Sequence, residues 1–535
     1  MPAKHLTALK VLSCLVLLIV ILSAFFDLAL QTGQEDAHLI YNVVVRSAVT
    51  GQPYYVAAPD HKGPLWIVVY SAALFLAGDG MHFWFVIGAF CILLAIATSA
   101  CAWKIGAIYG NRTILASAVV LCVLFYLLLG KEDYTKVLFA RNLTSFLTVA
   151  SLAVLTLIPE KTFRTSLALA ALSGGLTGLA VQTVESVAFV APAIAAFLIF
   201  SIREHYGPSF RPAMKAFAVY LISSLVVCFS SAVWYYFRGA FFDFWTAWWT
   251  YNVFYVESKM VGPLEMLRRI ARDYFLYYRS HPFFSLIISI FVFQLFIKKS
   301  RHLLMLDILL CVWFLTEAIS VVSSQRFFEN YMIQTYLPTA VMAIALAARY
   351  GGRLKTNTQL VCGMAIFAGV FFFGTRDRFL NGIRLLSSYH GIESAKARQW
   401  EDLSADEREL RGFVQKTTSP DDFVYIWSTH PQLYSAVDRV AGVRYLRYSW
   451  LIGKMHGGGG IHEQYVLPVF WQNWKYDIEQ TTPVLIILTA GSDPPPAGSA
   501  LPALLACAYS KVWRNATFEA WKLTGDVKGC LGRSE

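Results

Sequence analysis

The stretch FWFVIGAFCILLAIATSACAW, Phe83–Trp103, runs 21 residues without a Lys, Arg, Asp or Glu. As a helix rising 1.5 Å per residue it covers the roughly 30 Å hydrocarbon core of a bilayer. Similar runs recur on both sides of it, over approximately 11–30, 113–130, 142–158, 166–182, 186–202, 216–237, 283–297, 303–322, 332–348 and 358–374. The chain of 535 residues is 57% hydrophobic and 15% charged, where a soluble domain carries about 25% charge. The predicted fold class is an α-helical polytopic membrane protein with about eleven transmembrane helices, followed by a C-terminal extracytoplasmic α/β domain. The net charge of +11 does not point to nucleic acid, because the Lys and Arg residues are scattered over short loops and form no single basic face.

Those loops set the topology. Lys104 to Arg112, Lys161 to Arg164, Arg203 to Lys215, Lys298 to His302 and Arg349 to Lys355 are all rich in cations, and the positive-inside rule places them together in the cytoplasm with the N-terminus. One assignment satisfies all of them. The run Leu65 to Ala77 is too short to span and lies at the outer surface. Residues 31–82 and 238–282 then become the two long outer loops. The predicted organisation is a membrane module over 1–374 and an extracytoplasmic domain over 375–535. The N-terminal run exceeds the apolar region of a cleaved signal and reads as a retained first span. The expected localisation is a bacterial inner or plasma membrane.

The tail is polar and punctuated by Gly and Pro. Strand-like runs occur at Phe423–Trp427 and Val484–Leu488, and a helical pattern at Ala405–Val414. Seven of the nine cysteines lie in apolar runs, where Cys acts as a small hydrophobe. Cys507 and Cys530 lie in the tail and are expected to pair if it faces an oxidising compartment.

Polar groups gather at the outer ends of the spans. Glu35 and Asp36 follow the first span, and His38 and Tyr41 share a helical face with them. Asp60-His61-Lys62 precedes Gly63-Pro64, and a Lys at the membrane boundary suits a phosphate held at headgroup depth. Glu132 and Asp133 lie in the second outer loop with Lys131, and Arg141 and Asn142 follow closely. Gln182 and Glu185 lie in the third. Tyr251, Asn252 and Tyr255 lie in the long loop, beside an interfacial cluster of Trp245, Trp248 and Trp249. Arg326, Glu329 and Tyr331 lie in the fifth. Taken singly, each reads as structural: capping, snorkelling or packing. Gathered at every outer loop, they predict one cleft for a charged substrate.

The order of these motifs resembles the GT-C glycosyltransferases, and within them the protein O-mannosyltransferase-like and aminoarabinose transferase-like enzymes. The resemblance rests on Glu35-Asp36, Gly51-Gln52-Pro53-Tyr54, Asp60-His61-Lys62-Gly63-Pro64-Leu65, the segment Phe244-Trp245 to Tyr251-Asn252-Val253-Phe254-Tyr255, and Arg326 to Tyr331 followed by Leu337-Pro338. In the tail, Asp422 to Trp427 with Pro431 and Leu433-Tyr434 also fit. The resemblance implies a polyprenyl-phosphate-linked sugar donor, a glycan, lipid or protein acceptor, and inverting transfer on the extracytoplasmic face. It also implies that Glu35 or Asp36 is the catalytic base. The family's usual order is Asp-Glu, so the reversal leaves both open. Lys62, His61 and Arg326 are the expected donor-phosphate ligands, and His38, Tyr41, Glu132, Asp133, Glu185, Tyr251, Asn252, Tyr255, Glu329 and Tyr331 are the expected substrate contacts. The family's Lys before the sixth span has no match, since the chain reads Gln182-Thr183-Val184-Glu185 there. An Arg common at the start of the second span is absent, with His82 nearby. No cofactor is expected; a divalent metal is chemically feasible for the acids but not favoured. The rival reading is a lipid or solute transporter or flippase. That class usually places ionisable groups at the midplane of broken, repeated helices, whereas here the spans are mostly clean and polar groups crowd the outer ends.

Overall fold

The computed structural model describes residues 18–25, 35–78, 80–110, 113–129, 139–158, 161–258, 262–280, 282–297, 300–323, 331, 333–387, 390–391, 403–454, 460–496 and 499–532. Among these, five helical segments are long and apolar enough to cross a bilayer: Met81–Tyr109, Phe163–Thr183, Glu185–Tyr206, Phe210–Phe237 and Arg301–Ser323. Shorter apolar helices accompany them, including Ile114–Leu129, Phe139–Leu155, Pro282–Gln294 and Thr356–Val370. Ile333–Gly351 completes the set, with Pro338 inside it. Each predicted span after the first coincides with one of these helices. Of the first, residues 18–25 are described and are helical. The chain is therefore a multi-pass membrane protein. Leu65–Ala77 does form only a short helix, Pro64–Ala77, of 14 residues. The last predicted span ends at 374, but the helix continues through a π turn, Phe371–Thr375, into Arg376–Ser387. That extension packs on residues 18–25, where Ser23 Oγ donates to the carbonyl of Phe379 at 2.9 Å.

Small residues set the closest helix pair. Gly174 and Gly178 bring Phe163–Thr183 against Phe210–Phe237, and a Cβ on Gly174 would lie 2.2 Å from the carbonyl oxygen of Tyr220. Without a hydrophobic driving force between helices in lipid, such close backbone approach is what association relies on. The basic loops meet at one end of the bundle. There Arg349 pairs with the buried Asp307 at 2.9 Å, and His302 Nδ1 lies 3.0 Å from Glu204.

The tail forms a four-stranded mixed sheet of order β1-β2-β4-β3: β1 Val424–Trp427, β2 Leu485–Thr489, β3 Tyr509–Arg514 and β4 Phe518–Leu523. β1 runs parallel to β2, and β4 is antiparallel to both β2 and β3. Helix Ala405–Thr417 is started by a capping box between Ser404 and Glu407, which satisfies two otherwise open backbone donors. All four residues of β1 are buried, because the strand is covered on both faces. Tyr425 and Trp427 join one apolar cluster, while Val424 and Ile426 join another that includes Leu39, Val43 and Ala58 of the first loop. Cys507 and Cys530 are disulfide-bonded, with Cα atoms 5.8 Å apart.

Candidate active site

The first loop opens with helix Glu35–Thr50. Its backbone from Glu35 is described, but the side chains of Glu35 and Asp36 lie outside the described residues, as do Glu132, Asp133, Arg326 and Glu329. His38 and Tyr41 do share one face of this helix. His38 is buried with its ring 4.8 Å from Trp84, and Tyr41 lies 4.9 Å from Phe83. Both therefore lean on the start of the helix that begins at Met81.

The same helix is also fastened to the tail. Asn42 Nδ2 donates to the carbonyl of Pro431 at 2.9 Å. Arg46 is buried, and its Nε donates to the carbonyl of Ala57 at 2.6 Å. Its Nη1 donates to the carbonyl of Ala441, and its Nη2 lies 3.4 Å from Asp477. Asp477 also accepts two hydrogen bonds at 2.9 Å from the Arg444 guanidinium, which lies 3.8 Å from Asp243 of the second long loop. One carboxylate thus links two loop segments, around Arg46 and around Asp243, to the tail. Burial pulls the Arg46 guanidinium down to about 10, against the stabilising charge of Asp477. For Arg444 burial acts the same way, but the hydrogen bonds and charge of Asp477 outweigh it and raise its pKa above the usual value.

Beyond Ala57 and Ala58 the chain turns through Asp60-His61-Lys62. Asp60 is buried and organises the turn: its Oδ1 lies 3.2 Å from His61 Nδ1 and accepts from the Lys62 backbone N–H at 3.4 Å. The Lys62 carbonyl accepts from the Tyr55 hydroxyl at 2.7 Å. Gly63 then passes so close to the end of helix Phe163–Thr183 that a Cβ would lie 1.8 Å from the carbonyl oxygen of Gln182. Only glycine fits there. Pro64 begins the next helix, where its missing N–H is not needed.

The second long loop meets this turn. It runs through Phe241–Trp245, a π turn Thr246–Thr250, and Tyr251–Glu257. Asn252 Nδ2 donates to the carbonyls of His61 at 2.8 Å and Trp248 at 2.6 Å. The His61 ring lies 5.7 Å from Tyr251 and stacks on Tyr255 at 5.8 Å. Tyr251 stacks on Trp450 of the tail at 3.8 Å, and Phe254 on Tyr465 at 4.9 Å. The Tyr255 and Tyr331 hydroxyls are 3.4 Å apart. The structure therefore gathers His61, Tyr251, Asn252, Tyr255 and Tyr331, with Lys62 adjoining His61. Glu185 opens a 3-10 turn within electrostatic reach of Arg141.

Four residues without an expected role belong here. Asp60 shapes the turn, and Arg141 lies over the Tyr331 ring at 3.4 Å. Gln334 accepts from Arg141, and it donates to Glu317 at 3.4 Å and to Ser320 at 3.3 Å. Glu317 also accepts from the Trp313 indole at 3.1 Å. Glu317 had a legible signal, since a carboxylate within an apolar run marks a functional or network position.

No protein-family model matches the chain, and no curated protein matches it in sequence. Among solved structures it is similar to ArnT from Cupriavidus metallidurans. For the apo state, identity is 11% and the TM-score 0.55, covering 98% of this chain and 99% of that one. For the structure bound to undecaprenyl phosphate, identity is 10% and the TM-score 0.51, with the same coverage. The likeness shows the fold, which the chain shares with those structures from end to end.

Proposed function

We propose that this protein is an inverting glycosyltransferase that moves a sugar from a polyprenyl-phosphate donor to an acceptor hydroxyl on the extracytoplasmic face, in synthesis of a cell-envelope glycan, glycolipid or glycoprotein. The observation that carries the reading is the convergence of the Asp60-His61-Lys62 turn with Tyr251, Asn252, Tyr255 and Tyr331 where the membrane helices meet the tail. The fold shared with ArnT, which has been solved with undecaprenyl phosphate bound, supports a lipid-phosphate donor. The Cys507–Cys530 bond supports an oxidising compartment for the tail.

In this mechanism the acceptor oxygen bonds to the anomeric carbon as the bond from that carbon to the phosphate oxygen breaks. The hydroxyl proton passes to Asp36 or Glu35, and the lipid phosphate leaves as an anion. Lys62, with His61 and Arg326, stabilises that anion. Tyr251, Asn252, Tyr255 and Tyr331 line the sugar and phosphate path; Glu132, Asp133, Glu185 and Glu329 supply acceptor contacts from their loops, and His38 and Tyr41 support the base helix. The test is transfer from a panel of polyprenyl-phosphate sugars. Removal of both candidate bases, by Asp36→Asn and Glu35→Gln, is expected to lower the rate by about 10²–10⁴; near-normal transfer by both variants overturns the catalytic assignment.

A further inference from the structure

Helix Pro263–Ser280 closes the second long loop, and the apolar helix Pro282–Gln294 begins after a single intervening residue. It therefore lies where an apolar segment enters the bilayer. At about 100° per residue, its side chains fall into three neighbouring stripes. Met266, Ile270 and Tyr274 are half-buried against the bundle. The Tyr274 hydroxyl donates to the carbonyl of Ala318 at 3.1 Å, and the residue packs with Val321 and Tyr336. Next comes an apolar stripe of Leu264, Leu267, Ala271 and Phe275. Leu264, Leu267 and Phe275 are 65%, 63% and 66% exposed. Beside it run Arg268, Arg272 and Arg279, all exposed. Arg272 lies 2.7 Å from Asp273, while Arg268 and Arg279 have no ion-pair partner among the described residues. Arg269, further round, pairs with Glu265 at 3.3 Å.

Water does not suit the apolar stripe, and hydrocarbon does not suit the arginines. The boundary of a lipid leaflet suits both, with apolar groups in the acyl region and cations at the headgroups. The place of the arginines carries the argument further. The other cation-rich loops meet at the end of the bundle where Arg349 pairs with Asp307 and His302 with Glu204. Tyr274 is fastened near the Ser323 end of helix Arg301–Ser323, which is the opposite end. The charge sorting that accounts for the other loops does not account for these arginines. We infer that Pro263–Ser280 is an interfacial anchor for anionic phospholipid, with Leu264, Leu267, Ala271 and Phe275 sunk into the acyl region and Arg268, Arg272 and Arg279 on headgroup phosphates. A zwitterionic headgroup answers its own phosphate, so a cationic stripe selects lipid with net negative charge. The planar fork of Arg matches two phosphate oxygens at once. From Arg268 to Arg279 the stripe is about 16 Å long, room for more than one headgroup. The inference stands independently of the sugar-transfer reading.

The test is hydrogen exchange, read by mass spectrometry over residues 263–280, on the full-length protein in nanodiscs. One set contains phosphatidylcholine alone, the other an equal mixture with phosphatidylglycerol. Phosphatidylglycerol is expected to slow exchange of this segment at least fivefold, the contribution of about one surface cation. Molar salt is expected to remove most of that difference, and exchange in Phe163–Thr183 to stay as it was. Arg268→Gln, Arg272→Gln and Arg279→Gln together are expected to abolish the response while leaving the rate in phosphatidylcholine unchanged. The three Lys replacements at the same positions are expected to keep part of it. Equal exchange of the wild-type segment in both lipids overturns the inference, without recourse to any variant. A full phosphatidylglycerol response in the triple Gln variant overturns it too. Protection in both lipids alike, with two chains in each disc, shows a second copy covering the stripe and also overturns it.

Discussion

Arg46 of the first loop and Asp477 of the tail lie 3.4 Å apart, each side chain only 2% exposed. Through this pair the tail domain holds the strand of chain that leads into Asp60-His61-Lys62, because the same guanidinium grips the carbonyl of Ala57.

Asp477→Asn strips two buried guanidiniums of their counter-charge. Breaking a buried pair from one side typically costs about 3–5 kcal/mol. The variant is expected to unfold at markedly lower denaturant, followed by Trp fluorescence, and to transfer sugar poorly because the first loop loses its brace. Arg376→Gln, which opens only an exposed pair with Asp377, is the control and should move the midpoint hardly at all. Equal midpoints for the two variants would remove the bracing role.

Gly63→Ala places a methyl group into the Gln182 carbonyl. Neither side can yield cheaply, since both contacts are backbone. The expected outcome is displacement of the Asp60–Lys62 turn, with kcat/KM down at least tenfold, an effect of about 1.4 kcal/mol or more. Gly51→Ala, where no atom lies near but φ is +69°, is expected to lower stability modestly and leave catalysis largely intact.

Reduction of the Cys507–Cys530 bond opens a loop with a sequence separation of 23. Loops of this size contribute about 3 kcal/mol. Dithiothreitol, or Cys530→Ser, is expected to lower the unfolding temperature of the tail without changing the helical content of the membrane part, as read by circular dichroism.

The tail also carries an acid-sensitive contact. Lys454 and the Tyr448 hydroxyl hold the Asp493 carboxyl below its ordinary value of 3.8. A depressed carboxylate contributes stability that is present above the unfolded pKa and disappears as pH falls through the folded one. Loosening of the Trp427–Tyr448 stack, 4.9 Å between centroids, is therefore expected only below about pH 4. Asp493→Asn should flatten that part of the near-ultraviolet signal across the same range; an unchanged acid transition would contradict it.

Transfer is expected to survive exhaustive chelation with EDTA, since the proposed chemistry balances with a carboxylate base and protein cations. Loss of activity that Mg²⁺ or Mn²⁺ restores would show that the acids hold a metal instead.

Much of the architecture was legible along the chain. Phe83–Trp103 and its counterparts are long apolar runs with few or no charges, and a bilayer accepts such runs only as helices, so composition and length sufficed. The parallel pair β1 and β2 was visible as short apolar bursts in a polar tail. The hairpin of β3 and β4 was not, because Tyr509–Arg514 is largely exposed and carries Lys511 and Arg514, with no apolar burst to mark it. For the candidate site, Asn252, Tyr255 and Tyr331 could be gathered from loop position alone. Asp60, Arg141 and Gln334 acquired meaning only once their neighbours were known.

By itself, then, the sequence determined that this is a bundle of membrane helices with a folded tail, since hydrophobic length acts locally. Only the tertiary structure decided that Arg46 answers to Asp477 across 431 positions, that Gly63 must pass a helix end without a side chain, and that Arg141 lies over the Tyr331 ring. Those are relations between distant segments, and their free energy depends on burial and distance, which no local pattern of residues encodes.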